Sequence, residues 1–134
     1  MRDDTFLSDR LDFLWRKYFT DVLKSNKVHI KFGRKAVKRL GSIRQKIDET
    51  DTVITLNGYF KDKKIPRYIL DATIVHELCH YAHGFSSPLP QLSRFPHKGG
   101  TVDKELIQRG LLDLLKKEKK WLNKNWFKYV TNNR

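Results

Sequence analysis

The segment PRYILDATIVHELCHYAHG, which spans residues 66–84, has the features of a single buried helix. Pro66 suits the first position of a helix, where its missing N–H costs no hydrogen bond. Gly84 is a typical residue just beyond a helix end. Between these two residues the side chains are apolar on most sides, which is characteristic of a helix that is buried all round. The sequence therefore predicts a core helix over residues 66–84.

Within this segment lies the motif HELCH, residues 76–80. His76 and His80 are four positions apart, so on a helix they lie on one face, one turn from each other. Two imidazoles at that spacing can converge on one Zn²⁺ ion, and Glu77 beside them can act as the general base of a hydrolytic site. Burying these polar side chains without a partner would be costly. We therefore predict one zinc per chain, with His76 and His80 as ligands and Glu77 as the catalytic residue.

A catalytic zinc site needs a third protein ligand and one open position. We predict His97 as the third ligand, because it follows His80 by 17 residues, after a proline-rich loop. The neighbouring Pro96 and the glycines at 99–100 let the backbone turn tightly and bring the imidazole towards the helix. The alternatives that the sequence leaves open are Asp103, Glu105 and His83.

Three further polar residues need an interpretation. Cys79, inside the motif, is predicted to be a small buried hydrophobic residue rather than a nucleophile or ligand. His29 lies on a predicted strand and is not expected to belong to the site. Asp71 has two interpretations, since it can orient a histidine of the motif through a hydrogen bond or lie at the surface near the start of the helix.

Helices are also predicted at both ends of the chain. Apolar residues at three- and four-residue steps predict an N-terminal helix over residues 3–24 and a long C-terminal helix over about residues 102–129. Between the HELCH helix and the last helix, residues 85–101 have three prolines and no usable period, so they are predicted to form a loop.

Three strands are predicted between residues 28 and 60, because these stretches alternate or are rich in β-branched residues. They are VHIKF at 28–32, SIRQKI at 42–47 and TVITLNGYF at 52–60. The expected order is an N-terminal helix, a three-stranded sheet, the HELCH helix, a loop and a long helix. This order predicts a small α+β fold, in a single domain over residues 1–134.

Basic residues are in large excess, with 28 Lys and Arg against 15 Asp and Glu and a net charge of +13. Nine of them lie in residues 24–46, where there is no acid, and seven lie in residues 116–134, which contain only Glu118 against them. A surface of this charge attracts polyanions. The two basic segments therefore predict contact with DNA or RNA, and the alternative interpretation is a solubilising surface.

The cysteine content and the hydropathy indicate the cellular compartment in which the protein is expected. Cys79 is the single cysteine, which excludes a disulfide framework and a cysteine zinc ribbon. No apolar run approaches the roughly 20 residues that span a bilayer, and the N-terminus lacks the apolar stretch of a signal peptide. We therefore expect a reducing, cytoplasmic setting without membrane contact.

Residues 28–115 resemble the SprT-like group of zinc metallopeptidases, which includes the Spartan proteases. The similarity consists of strands ending in an ITLN segment, the helix with HELCH, a spacer and one more histidine before a final helix. The small core also resembles the reduced metallopeptidase domains called minigluzincins. The resemblance implies a zincin-like fold in which His76, His80 and His97 bind zinc. It further implies that Glu77 is the general base and that the substrate is a protein or peptide, with nucleic-acid-associated proteins as candidates.

The resemblance also implies that the strand at 52–60 edges the cleft and pairs with an extended substrate. The loop at 85–101 is a candidate for the opposite wall or for a lid, and the alternative interpretation is a plain connector. Two other classes of function stay open. One is a nucleic-acid-binding module with a structural or vestigial metal site, and the other is a metal hydrolase that acts on a non-peptide amide. The aromatic residues of the lysine-rich tail fit the first alternative if they stack on bases, although the simpler interpretation is that they cover the core.

Overall fold

The computed structural model describes residues 1–46, 48, 50–89 and 100–134. Helices occupy α1 (Asp4–Tyr18), α2 (Arg67–Ala82), α3 (Thr101–Gln108), α4 (Leu112–Trp121) and α5 (Phe127–Asn132), and strands occupy β1 (Val28–Phe32), β2 (Gly41–Gln45) and β3 (Thr52–Leu56). A 3₁₀ turn spans Gly58–Lys61, and a π-helical turn at Leu122–Trp126 joins α4 to α5. This content confirms the predicted α+β fold. None of the helices in the described part of the chain is long and apolar enough to cross a membrane.

The three strands form one sheet in the order β1-β3-β2. β1 runs parallel to β3, with Ile30 opposite Ile54, and β2 runs antiparallel to β3, with Ile43 opposite the same Ile54. Ile54 is completely buried, since its strand has a neighbour on each side. The strand that precedes α2 in the sequence is therefore the centre of the sheet.

Helix α2 is the core helix that the sequence predicts. Twelve of its 16 residues are buried, which confirms a helix with no exposed polar face. Pro66 immediately precedes its first residue, and Gly84 follows its end with φ +78°. The helix packs against α1, β2, β3, α3 and α4, so side chains on several of its faces are held in place by neighbouring elements.

Asp71 ties α2 to α1. Its carboxylate, in a residue only 7% exposed, accepts hydrogen bonds from Nε and Nη2 of Arg10 at 2.9 and 2.8 Å. Arg67, one turn earlier on α2, lies 3.7 Å from the same carboxylate. A bidentate pair of this kind fixes both geometry and register. Asp71 therefore anchors the N-terminal helix, and it is neither a surface residue nor the partner of a histidine of the motif.

Helix α1 is shorter than the predicted helix over residues 3–24, because it ends at Tyr18. Trp15 Nε1 donates to the carbonyl of Val22 at 3.0 Å, so the chain turns back onto the end of the helix. Phe19 is fully buried and Val22 packs against the core. The apolar spacing thus continues past the last helical turn, which is why the periodicity overestimates the helix.

The strand boundaries also differ from the prediction. β3 stops short of the predicted end of the 52–60 strand, because Asn57 starts a 3₁₀ turn by accepting the N–H of Tyr59 at 3.0 Å. β2 starts one residue before the predicted 42–47 strand and ends at position 45. Residue 47 of that prediction lies outside the described residues.

The helix predicted over residues 102–129 is interrupted once. α3 covers its first part, and α4, the π-helical turn and α5 then follow one another without a gap as the long C-terminal helix. Gly110 has φ +88°, a left-handed conformation that favours glycine. The N–H groups of Gly110 and Leu111 bond to the carbonyls of Ile107 and Leu106, each at 3.0 Å, which is the usual closing pattern of a helix. These bonds end α3 and separate it from α4.

The aromatic residues of the tail pack on the core. Trp126 Nε1 donates to the carbonyl of Val37 at 2.7 Å, and the Tyr129 hydroxyl donates to Asp62 at 2.6 Å. Both rings also lie edge-on to Tyr59, with centroids 5.9 and 5.8 Å away. The simpler interpretation of these two rings is confirmed.

Candidate metal centre

Two imidazoles on α2 face each other. The Nε2 atoms of His76 and His80 are 3.1 Å apart, and their ring centroids are 4.8 Å apart. Two nitrogen ligands at the usual zinc distance and a tetrahedral angle would lie about 3.3 Å from each other. The observed separation therefore fits a pair that binds one ion. His80 is only 3% exposed, so the surrounding core holds its ring in this position.

Glu77 places a carboxylate next to the histidine pair. One of its oxygens and a ring nitrogen of each histidine all lie within 4.8 Å of one another. Glu77 is 5% exposed, and this burial raises its pKa to about 7, while the positive charge of Arg39 acts in the opposite direction. A carboxylate with a near-neutral pKa can both accept and release a proton at physiological pH, which suits a general base.

A cavity of about 580 Å³ opens in front of the pair. Its floor includes His76 and Glu77 of α2, and one wall is the segment 38–41, which leads into β2. The other side carries two acids, Asp103 from α3 and Glu118 from α4. The volume is in the range of ligand-binding clefts, so the cavity has room for a segment of peptide.

The start of β2 lies directly against α2. A Cβ atom on Gly41 would lie 2.5 Å from Cγ2 of Thr73 and 3.9 Å from Cγ of Glu77. A glycine inside a strand often marks such a close approach. This contact fixes the first residues of β2, and the segment before them, at the rim of the cavity.

The strand next to the cavity is therefore β2, and the expectation that the strand at 52–60 edges the cleft is wrong. β3 is paired on both sides, by β1 and β2, so it cannot accept a further strand. Within the described residues, β2 is paired only with β3. Ser86, in the turn after α2, donates to the carbonyl of Ile43 at 3.4 Å, which leaves Gly41, the residue of the strand that lines the cavity, as the place where a substrate could pair.

The candidates for a third ligand are distributed over two places. His97 lies outside the described residues, so its role as a ligand stays a prediction. Glu105 and His83 hydrogen-bond to each other, and Cys79 Sγ donates to Glu105 at 3.1 Å. Asp103 lines the cavity in front of the histidine pair. Among the alternatives to His97, Asp103 is the one that the structure brings to this cavity.

Cys79, His83 and Glu105 form a second group whose ligand atoms lie within 4.8 Å of one another. Arg109 already contacts this group, since its Nε donates to Glu105 at 3.3 Å while its Nη1 donates to Asp21 at 2.6 Å. Burial acts to raise the pKa of Glu105, but hydrogen bonds from His83 and Cys79 outweigh it and lower that pKa. Burial also raises the pKa of the Cys79 thiol. The protonated thiol, the imidazole and the guanidinium satisfy the carboxylate, so the group joins α2 to α3 without needing a metal.

Two residues at the cavity were missed by sequence reasoning, Arg39 and Glu118. In the sequence Glu118 stands inside KKEKK, residues 116–120, a run that is typical of a solvated helix face. Its carboxylate instead lines the cavity. Burial, and after it the negative charge of Asp103, raises the pKa of Glu118 to about 7. No signal in the sequence distinguishes this acid from an exposed one.

We expect Glu118→Gln to stabilise the protein at about pH 8 and to leave its stability at about pH 4 unchanged. The folded-state pKa of about 7 lies above the ordinary value of 4.5. Stability from the protonated carboxyl is therefore complete below pH 4.5 and is lost as the pH rises through 7. Glutamine keeps the shape of the protonated form, so the gain in unfolding free energy at high pH is about 1–3 kcal/mol.

Urea unfolding at both pH values measures this difference. The exposed Asp9→Asn on α1 serves as the control, because a surface substitution of this kind changes stability by less than about 0.5 kcal/mol. An equal effect of Glu118→Gln at both pH values would show that its carboxyl titrates normally in the folded protein.

Comparison of the chain with protein-family models, with curated proteins and with solved structures finds no match. The resemblance to the SprT-like group therefore rests on the residues of the motif and on the order of the elements. The geometry of α2 and of the cavity in front of it supplies the support for a function.

Proposed function

We propose that this protein is a zinc-dependent metallopeptidase of the HExxH type, which hydrolyses peptide bonds in a protein or peptide substrate. The observation that carries the proposal is the pair of Nε2 atoms 3.1 Å apart on His76 and His80, with the buried carboxylate of Glu77 beside them at the floor of a cavity. This donor set suits Zn²⁺ and metal-assisted hydrolysis. Membership of the SprT-like family is part of the same proposal, and the motif and the order of elements support it.

The residues of α2 divide the chemistry between them. His76 and His80, with His97 as the proposed third ligand, would hold a zinc ion, which when bound acts as a Lewis acid on the substrate carbonyl and on water. Glu77 accepts the proton that a water molecule loses as its oxygen attacks the carbonyl carbon, and the π electrons of the carbonyl move onto its oxygen. The C–N bond then breaks, and the proton passes from Glu77 to the leaving amine. One water and one amide thus become an acid and an amine.

The substrate is proposed to bind as an extended strand along β2. The backbone at Gly41 lies at the rim of the cavity and next to Glu77. Main-chain hydrogen bonds to a strand edge hold an extended peptide with little dependence on its sequence. A protein substrate would therefore need an extended segment that can reach this edge.

Metal content tests the proposal directly. The native protein, purified without chelator or metal-affinity resin, is expected to contain about one zinc per chain by mass spectrometry, as the donor set requires. His80→Ala should lose that zinc and, with it, cleavage of an unfolded protein substrate. His29→Ala is the matched control, because His29 bonds to Asp51 at 2.8 Å on the surface of the sheet. A wild-type protein that binds no zinc, or a zinc protein that cleaves no peptide, would rule the proposal out.

The third ligand is tested by the same measurement. His97→Ala is expected to lose zinc, and Asp103→Asn is expected to keep it. The reverse result would move the third ligand to Asp103, the alternative that lines the cavity. Such a result would leave the proposed hydrolysis standing.

A second candidate function is nucleic-acid binding, with a structural or vestigial metal site. The observation in its favour is that all nine basic side chains of residues 24–46 and all seven of residues 116–134 are exposed. Among the described residues, Lys46 is the only one of these with a carboxylate within 4 Å, that of Asp51 at 3.8 Å. Such cations are available to phosphates, and they are also compatible with a peptidase that acts on nucleic-acid-associated proteins.

We expect binding to single-stranded DNA that weakens steeply with salt. About four phosphate contacts would give a slope near −3 in a plot of the logarithm of the binding constant against that of the salt concentration. Fluorescence anisotropy with a labelled oligonucleotide measures this slope, and a variant with Lys24, Lys27 and Lys31 changed to glutamate should reduce it. Binding without salt dependence would show that the exposed cations do not contact phosphates.

A cytoplasmic location completes the proposal. Its support is chemical, since the one cysteine, Cys79, is buried as a free thiol, and free thiols are characteristic of a reducing compartment.

A further inference from the structure

Arg39 lies at the rim of the cavity, on the wall that faces the HELCH residues. The position of Gly41 shows how close this wall comes, because a Cβ atom there would be 3.9 Å from Cγ of Glu77. Arg39 precedes Gly41 by two residues and lines the same cavity as His76 and Glu77. The chain thus brings Arg39 to the wall of the cavity whose floor includes His76 and Glu77.

The backbone that carries Arg39 is held by one buried amide. Asn57, which is 3% exposed, donates from Nδ2 to the carbonyls of Ala36 at 2.6 Å and Arg39 at 2.8 Å. The backbone N–H of Asn57 donates to the carbonyl of Leu40 at 2.8 Å. These bonds attach the segment before β2 to the end of the central strand β3. The attachment point of the Arg39 side chain is therefore fixed relative to α2.

The Arg39 guanidinium is exposed and forms no ion pair within 4 Å among the residues that the structure describes. Its charge lies on the wall of the cavity whose floor includes His76 and Glu77. An unpaired guanidinium at the mouth of a cavity can stabilise an anion, because its planar group presents several N–H donors and a permanent positive charge.

We propose that Arg39 stabilises the negative charge that develops on the carbonyl oxygen of the scissile peptide bond, by donating hydrogen bonds to that oxygen as the charge forms. This inference rests on the proposed peptidase function and adds the residue that the reaction needs opposite Glu77. As the water oxygen bonds to the carbonyl carbon, the π electrons move to the carbonyl oxygen, and the guanidinium neutralises that charge. When the C–N bond breaks, the electrons return to form the new carboxyl group, and Arg39 remains unchanged.

The remaining charged residues of the cavity do not fit this role. Asp103 and Glu118 are acids and would repel an oxyanion. Lys38 lines the same wall, but an ammonium on a flexible stem offers no fixed pair of donors. A general effect of positive charge can be separated from the specific effect of Arg39 by changing a lysine outside the cavity.

Kinetics on a peptide that is blocked at both ends and carries no acidic side chain test the inference. We expect Arg39→Ala to lower kcat by about 10²–10³-fold, the usual effect of removing one oxyanion donor, with KM and zinc content unchanged. Arg39→Lys should recover part of the rate, because it restores the charge without the fork. Lys64→Ala, an exposed residue away from the cavity, removes the same charge and should change neither constant.

Binding measurements distinguish stabilisation of the transition state from recognition of the substrate, and they do not depend on turnover. A phosphinic peptide, which presents a tetrahedral anion, should bind Arg39→Ala about 10²-fold more weakly than wild type. The uncleaved peptide should bind Glu77→Gln and the double variant Glu77→Gln/Arg39→Ala equally well.

A rise in KM at constant kcat would overturn the inference and assign Arg39 to ground-state recognition of the substrate. Unchanged kcat and unchanged phosphinate affinity would also overturn it, while leaving the peptidase standing. A wild-type protein that cleaves no peptide would instead refute the proposed function, and the inference with it.

Discussion

Replacing Glu77 by glutamine is expected to lower the rate of peptide hydrolysis by roughly 10²–10⁴-fold, the usual contribution of a general base, while zinc remains bound. Glutamine has nearly the same shape, so the helix and the histidine pair keep their positions. Its amide cannot accept the proton of the attacking water. Folding is not at risk, because Glu77 is 5% exposed with a pKa raised to about 7 by burial, and a neutral side chain suits that environment better than a carboxylate.

The measurement pairs single-turnover cleavage with metal analysis of the same preparation. Asp9→Asn supplies an exposed acid-to-amide change on α1 as the control. Glu118→Gln is the informative comparison, since Glu118 is the second carboxylate at the cavity with a pKa near 7. If Glu77→Gln kept its activity and Glu118→Gln lost it, the base would be Glu118 and the assignment made from the HELCH motif would be wrong.

The centre of the fold could be predicted because its signals are local. Pro66, a run of apolar residues and Gly84 identify α2 without knowledge of any other element, and the structure places the helix at Arg67–Ala82. The spacing of His76 and His80 likewise fixes their relation to each other through the geometry of a single helix. Their place on one face of the helix follows from their four-residue spacing, while the burial of His80 holds its ring close to that of His76.

The predicted boundaries of helices and strands are wrong where tertiary contacts replace the backbone hydrogen bonds of a helix or a strand. Val22 continues the apolar spacing of α1, yet it belongs to a turn that Trp15 holds by a hydrogen bond to its carbonyl. Asn57 looks like one more residue of a strand, but its side chain bonds to four backbone groups, of Ala36, Arg39 and Tyr59, and ends β3. Gly110 is the exception, because a glycine at this place in a helical pattern is a recognised termination signal that the prediction passed over.

The identity of the cleft strand depends on the order of strands in the sheet. Strands adjacent in the sequence are usually neighbours in a sheet, but here β1 and β2 lie on opposite sides of β3. That order depends on how the strands pack against α1 and α2. The positions of the strands in the sequence carry no information about this packing. Arg39 and Glu118 come to the cavity through the same packing, so their roles became visible only in three dimensions.

Replacing Gly58 by alanine is expected to lower the free energy of unfolding by about 3 kcal/mol, a typical cost of overpacking. An added Cβ would lie 2.5 Å from the carbonyl oxygen of Gly33, and 3.1 Å from the backbone of both Arg34 and Lys35. All three obstacles are main-chain atoms, so no side-chain rotation can relieve the clash. The Gly58 N–H also donates to the Arg34 carbonyl at 2.9 Å, which holds the two segments together.

Urea unfolding of Gly58→Ala and Gly110→Ala measures the contribution of this close contact. Gly110 has no atom within 4 Å of its added Cβ and differs only in its φ of +88°, so its substitution should cost about 1 kcal/mol through backbone strain.

The backbone that Gly58 approaches leads into the Asn57-bound segment that carries Arg39. Gly58→Ala protein that stays folded should therefore also lose peptidase activity while it keeps its zinc, because α2 is not displaced. Equal stability losses for the two variants would show that residues 33–35 move aside easily, and a rigid attachment of Arg39 would then be excluded.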